Sequence, residues 1–119
     1  MRQAFAHDAV LLLRDGGDER AAGGAITVAL CGSWSHDPPC PLAPHHTRVH
    51  RTGRELTLRL LFAAEPSDEA RVRSMVDDVL ARGWGHSPDG SRTTWDLVES
   101  GPSAVLAEEE AHAQRLARG

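Results

Sequence analysis

The stretch from Glu55 to Gly83 constrains the fold of this chain more than any other. Leu56, Leu58, Leu60 and Phe62 alternate with Glu55, Thr57 and Arg59, the period of a strand with one face in a core. Leu61 and Ala63 make its far end apolar on both faces, which predicts a central place in a sheet. Glu65-Pro66-Ser67 then stops the strand. Val72, Met75, Val76, Val79 and Leu80 follow at i, i+3, i+4, i+7 and i+8, a single helical stripe. Ser67 is expected to cap the first turn, Asp68 and Glu69 suit the positive end of the dipole, and Gly83 after Arg82 is a natural stop. The spacing predicts a helix over 67–82.

The remaining segments arrange themselves around this pair. His7 to Arg14 reads as a buried strand, and Ala25 to Leu30 as a second, β-branched in its middle. A long glycine-rich connection would join these two as a hairpin. Thr47 to Arg51 reads as a further strand that turns at Thr52-Gly53-Arg54. Gly83 to Arg92 reads as a loop around a Ser87-Pro88-Asp89-Gly90 turn. Thr93 to Glu99 is expected to be a strand with Trp95 and Leu97 on one side, broken by Ser100-Gly101-Pro102. Ala107 to Arg118 starts acidic and ends basic, an order that suits a short terminal helix.

These elements predict an α+β fold: a mixed or mostly antiparallel sheet of about four to five strands, the long amphipathic helix and the C-terminal one. The helices are expected on one sheet face, with the other partly solvated. The strand at 56–62, the helix and the strand at Trp95 suit a right-handed crossover. A ferredoxin-like arrangement is an analogy, because a proline-rich loop replaces the helix it needs between its first strands. A chain of 119 residues holds one domain, 1–119, with that loop at 31–46.

Charge narrows the partners. All thirteen basic residues are arginines scattered along a chain of net charge −4, which argues against nucleic acid as a ligand. Lys, Tyr and Asn are absent and Ile occurs once, a pattern that codon bias in a GC-rich genome produces. The arginine usage therefore carries little functional weight. The only apolar run near the start, Ala9 to Leu13, follows His7-Asp8 without a basic flank or a small-residue cleavage site, unlike a signal peptide. No stretch approaches the roughly 18 apolar residues of a spanning helix. The expectation is a cytoplasmic protein without a membrane partner, whose two cysteines are thiols or metal ligands.

One segment concentrates possible chemistry. Between Cys31 and His50 lie both cysteines and His36, His45, His46 and His50, interleaved with four prolines. Thiolate and imidazole together suit zinc or a similar divalent ion. The spacing C-x4-H-x3-C-x4-H lets four donors converge if the loop folds back, and prolines lower the entropy lost on closure. The candidate ligands are Cys31, His36, Cys40 and one of His45 or His46. On a strand, His50 would lie roughly 13 Å from His46, too far to serve the same ion. The alternatives are reduced thiols in a plain loop, or a Cys31–Cys40 disulfide. No C-x2-C pair is present.

Catalytic patterns are weaker. Asp37 stands where a phosphate-cradling C-x5-R loop needs Arg. Ser35-His36-Asp37 are sequence neighbours, which cannot adopt triad geometry. A metal hydrolase with Asp37 or Glu65 as base is the third possibility. Trp34, Trp84 and Trp95 are expected to cover the core, and His86 and His112 to be solvated. The sequence thus suggests a small binding or accessory protein with a zinc-pinned loop. The alternative from another class is a metal-free interaction module, docking a protein partner or a second copy through a sheet face or edge.

Overall fold

A computed structural model describes residues 1–14, 16–31 and 43–118, with Cys31 described in its backbone alone. The long strands are β1 (Gln3–Leu13), β2 (His45–Thr52), β3 (Glu55–Ala64) and β5 (Arg92–Ser103), and β4 (Trp84–His86) is short. The helices are α1 (Ala21–Cys31), α2 (Glu69–Arg82) and α3 (Glu110–Arg118), the last two each entered through a 3-10 turn, Pro66–Asp68 and Ala107–Glu109. The strands form one sheet in the order β2-β3-β1-β5-β4. Every neighbouring pair is antiparallel.

The strand and helix that anchored the sequence reading are both present. Leu56, Leu58, Leu60 and Phe62 are buried, as are Val72, Val76, Val79 and Leu80 of α2. β3 lies between β2 and β1, while β1 takes the middle of the sheet. Ser67 falls within the 3-10 turn, and Asp68 at the N-cap of α2 makes no side-chain cap bond. Gly83 ends α2 with φ +83°, a left-handed conformation that a side chain disfavours.

The main correction concerns Ala25 to Leu30, which belongs to a helix and not to a strand. The Ile-Thr-Val run carries strand propensity, but Ala21, Ala22, Ala25 and Ala29 are strong helix formers. Tertiary burial decided between them. Ala21, Ala22, Ala25, Ile26 and Leu30 form a buried face, but the outward positions Gly23, Val28 and Ala29 are apolar or glycine too, so the sequence shows no amphipathic stripe. The Asp18 carboxylate accepts a bond from the Arg20 amide (2.9 Å) and holds its guanidinium. The Asp18 amide donates to Thr93 Oγ1 (2.9 Å), fixing the helix start to β5.

Three smaller corrections follow the same logic. Trp84–His86, expected in a loop, pairs with Thr94–Arg92 as a short edge strand. β5 continues through Ser100-Gly101-Pro102 instead of breaking there. A register shift opposite Val10 and Leu11 leaves Val98 as an extra residue, and β4 extends no further than Thr94. Pro102 therefore lies where β5 has become an edge, the strand setting that tolerates a missing donor. The helices also divide between the two faces. α1 and α2 share the core with Leu11, Leu13, Phe62 and Trp95, while α3 lies across the opposite face of β3 and β1.

Candidate functional site

The face opposite α1 and α2 is organised in cross-strand rows. Register places His46, Leu61, Ala6 and Ser103 in one row, and Arg48, Arg59, Asp8 and Gly101 in the next. His50, Thr57, Val10 and Glu99 form a third. α3 approaches at the first row, where Leu61, Ala6 and Ala113 are buried and His112 packs on His46 with ring centroids 4.7 Å apart. His112 is thus half-buried against β2, not solvated. Desolvation lowers the His46 pKa below its ordinary value, and His112 and Arg48 add to the effect.

The middle row carries an ion-pair clamp. Arg48 and Arg59 are direct cross-strand partners, a like-charge pairing that costs energy unless an acid intervenes. Glu109 supplies the acid from the turn that enters α3. It accepts from Arg59 Nη2 (2.6 Å) and Nε (2.8 Å), a bidentate pair. Arg59 also donates to Asp8 (2.9 Å), Ser103 (3.2 Å) and the Ala104 carbonyl (2.8 Å). The Arg59 guanidinium pulls the Glu109 carboxyl down to about 2. Glu109 also accepts from the Leu106 amide (3.0 Å). Arg59 is consumed in holding α3 to the sheet.

Beyond this clamp the third row is open. Asp8, Val10, Arg48, His50, Thr57 and Leu106 line a cleft of about 530 Å3. Val10 and Leu106 supply apolar surface, Leu106 being 43% exposed. Arg48 remains 66% exposed and approaches Glu109 at 3.8 Å, because Arg59 already occupies both Glu109 oxygens. The cleft therefore combines an apolar floor with a guanidinium at the β2 rim that is available to an anion.

A second polar cluster lies on the helix-covered face. His7, 1% exposed, has Nε2 at 2.9 Å from Ser100 Oγ and 3.1 Å from Asp77 Oδ1. Ser100 Oγ donates to Asp77 (2.6 Å). On the other side, Arg73 Nη1 lies 3.0 Å from His7 Nδ1 and donates to the Ala6 carbonyl (2.7 Å). Serine, histidine and aspartate meet here, but their wiring opposes nucleophilic catalysis. A guanidinium can only donate, so Nδ1 is the acceptor and Nε2 carries the proton, which leaves His7 no lone pair facing Ser100. The aspartate accepts the serine's hydrogen bond and meets the imidazole at Nε2, not at Nδ1 as a triad requires. Burial lowers the His7 pKa against the raising influence of Asp77. The cluster ties β1, β5 and α2 together.

The predicted metal ligands are only partly placed. His36, Cys40 and the side chain of Cys31 lie outside the described residues, as does Trp34. Cys31 ends a helix and does not follow a strand. His45 and His46 point to opposite faces. His45 Nε2 lies 3.0 Å from Thr27 Oγ1 of α1, and its Nδ1 lies 3.0 Å from the Ala43 carbonyl. His46 meets His112 instead. His50 is exposed in the open row. Among the described residues, no three His, Cys, Asp or Glu side chains are grouped to hold a metal ion, and no helix is long and apolar enough to cross a membrane. Trp95 is core, its Nε1 donating to the Leu80 carbonyl (2.8 Å). Trp84 is half-buried between the guanidinium groups of Arg82 and Arg92, 3.8 and 4.3 Å from its ring centroid.

The polar face of β3 was legible from alternation, whereas Arg48, Glu109, His7, Asp77 and Ser100 carried no local signal. They come together across separations as large as the 93 residues between His7 and Ser100. Compared with known proteins, the chain matches no family model and no curated protein.

Proposed function

We propose that this chain is a small binding or accessory domain of ferredoxin-like topology that receives a carboxylate-bearing, partly apolar ligand in the sheet cleft. The topology reading is supported by the order β2-β3-β1-β5 and by helices between β1 and β2 and between β3 and β5, with β4 an added edge. The observation that carries the function is the exposed Arg48 beside the Val10–Leu106 floor. A charge-assisted bond to Arg48 contributes about 1.5–3 kcal/mol, and apolar burial adds to it.

The probe is 2-naphthoate, titrated while amide chemical shifts are followed by NMR. Saturable shifts are expected at Val10, Arg48, His50, Thr57 and Leu106. Arg48→Glu should weaken binding at least about tenfold, the fold-change of roughly 1.4 kcal/mol. Scattered shifts, or equal binding of neutral 2-naphthalenemethanol, would discard the reading.

A zinc-pinned loop through Cys31, His36, Cys40 and His45 is the second reading. It is supported by the contact between His45 and Thr27, since Cys31 follows Thr27 by one helical turn. His46, turned to the other face, drops out. Such a site would order the 31–46 segment through thiolate and imidazole donors. Tag-free protein should contain about one equivalent of zinc, lost in His45→Ala. Less than about 0.2 equivalents under zinc-retaining conditions ends this reading.

A further inference from the structure

β2 is an edge of the sheet, with β3 on one side and no strand beyond it among the described residues. The Ala63 amide donates to the Pro44 carbonyl (2.9 Å), which sets the phase of the ladder. Antiparallel alternation then turns the main-chain groups of His46, Arg48, His50 and Thr52 toward β3. Those of Thr47, Val49 and Arg51 turn outward. An edge of this kind is a template for another extended chain unless something blunts it. His45–Thr52 contains no proline and pairs with β3 without a bulge, so among the described residues only its charged side chains, Arg48 and Arg51, discourage pairing.

Its two flanks differ in chemistry. On the open sheet face lie Arg48 and His50, at the rim of the cleft already described. On the helix side, Gly23, Gly24, Thr27, Thr47 and Val49 line a groove of about 300 Å3 between α1 and β2, with Glu19 and Arg20 at one end. Gly23 and Gly24 keep the middle of its α1 wall low between Arg20 and Thr27, where α1 comes close enough that a β-carbon on Gly23 would stand 3.4 Å from Thr47 Cγ2. A strand presents alternate residues to opposite faces. A chain laid along β2 would therefore offer one set to Arg48 and His50 and the other to the glycine-lined groove.

Charge selects among occupants. β2 carries Arg48 and Arg51 with three histidines and no acidic residue, within a chain of net charge −4. A second copy paired on this edge would bring cation against cation. We propose that β2 is the docking edge for an extended segment of a partner protein in which acidic and apolar residues alternate. Acids meet Arg48 and His50, apolar residues enter the groove beside α1, and main-chain bonds form to Thr47, Val49 and Arg51. This proposal rests on the anion-accepting role of Arg48 in the cleft.

The test uses the full chain and fluorescein-labelled octapeptides of alternating Glu-Val or Lys-Val, read by fluorescence anisotropy at low and high salt. The Glu-Val peptide should bind at least about tenfold tighter than the Lys-Val peptide and weaken with salt. On binding, the amides of Thr47, Val49 and Arg51 should gain protection from hydrogen exchange. Val49→Pro removes an outward donor and spares the β3 ladder, so it should abolish binding while circular dichroism stays native. If that variant does not fold, Arg48→Glu and the exchange pattern decide. Equal binding of both peptides, undiminished binding by folded Val49→Pro, or protection elsewhere overturns the proposal. So does peptide-free dimerisation through β2. If 2-naphthoate still titrates the cleft while the Glu-Val peptide fails, docking at the edge is rejected and the cleft reading stands.

Discussion

Replacing Arg59 with leucine is expected to cost about 3 kcal/mol of stability and to loosen α3 from the sheet. The guanidinium makes two bonds to Glu109 and one each to Asp8, Ser103 and the Ala104 carbonyl. Leucine retains the packing stem but leaves Glu109 without its main partner. The side chains of Arg59 and Glu109 are 16% and 8% exposed. Removing one member of a buried pair costs about 3–5 kcal/mol, and the residual solvent exposure of Arg59 and of its second partner Asp8 argues for the lower end. Urea unfolding measures the loss, and trypsin cleavage after Arg115 should accelerate. A change below about 1 kcal/mol, the worth of an ordinary surface pair, would show that Arg59 does not clamp α3.

The same pair sets an acid limit. Glu109 titrates at about 2 in the folded chain against an ordinary 4.5. Its contribution is complete above 4.5 and disappears as pH falls through that window. His7 acts in the same direction at higher pH, because its folded pKa lies below 6.5 and the unfolded chain takes up the proton first. Stability should therefore fall on acidification, and the wild-type and Arg59→Leu curves should converge between pH 4.5 and 2.

Gly85→Ala is expected to cost about 2–3 kcal/mol, near the upper range for overpacking. A β-carbon there would stand 2.8 Å from the Ala21 carbonyl oxygen, 3.1 Å from Ala25 Cβ and 3.2 Å from Trp95. The nearest atom belongs to helix backbone and cannot swing aside as a flexible side chain would. The effect depends on α1 being a helix pressed against β4. Gly101→Ala is the control, since nothing lies within 4 Å of its added carbon and little change is expected. Thermal melts compare the two. Equal behaviour would mean that α1 and β4 do not approach this closely.

Much of the frame was written locally. β3 declared itself because its polar and apolar residues alternate, and α2 because its apolar residues repeat every three to four. Both belong to elements with one solvated or polar face, where burial leaves a periodic mark. α1 left none, because outward residues such as Val28 and Ala29 are as apolar as its buried ones, so its β-branched run outweighed its alanines when read alone. β4 was too short for any period, and β5 passed a glycine and a proline that its edge position tolerates.

The candidate site was less legible. The cluster of cysteines and histidines was visible as composition, yet two adjacent histidines on one strand had to point to opposite faces once β2 formed. His45 went to α1 and His46 to α3. By itself the sequence determined the α+β class, the strand-to-helix unit and the polar face of β3, because these follow from side-chain period along a short backbone. Only the tertiary structure decided that α1 is helical, that Arg59 is spent on Glu109 and that Arg48 is left at an open rim. Those outcomes depend on register and packing between distant segments, and no local stretch of chain contains them.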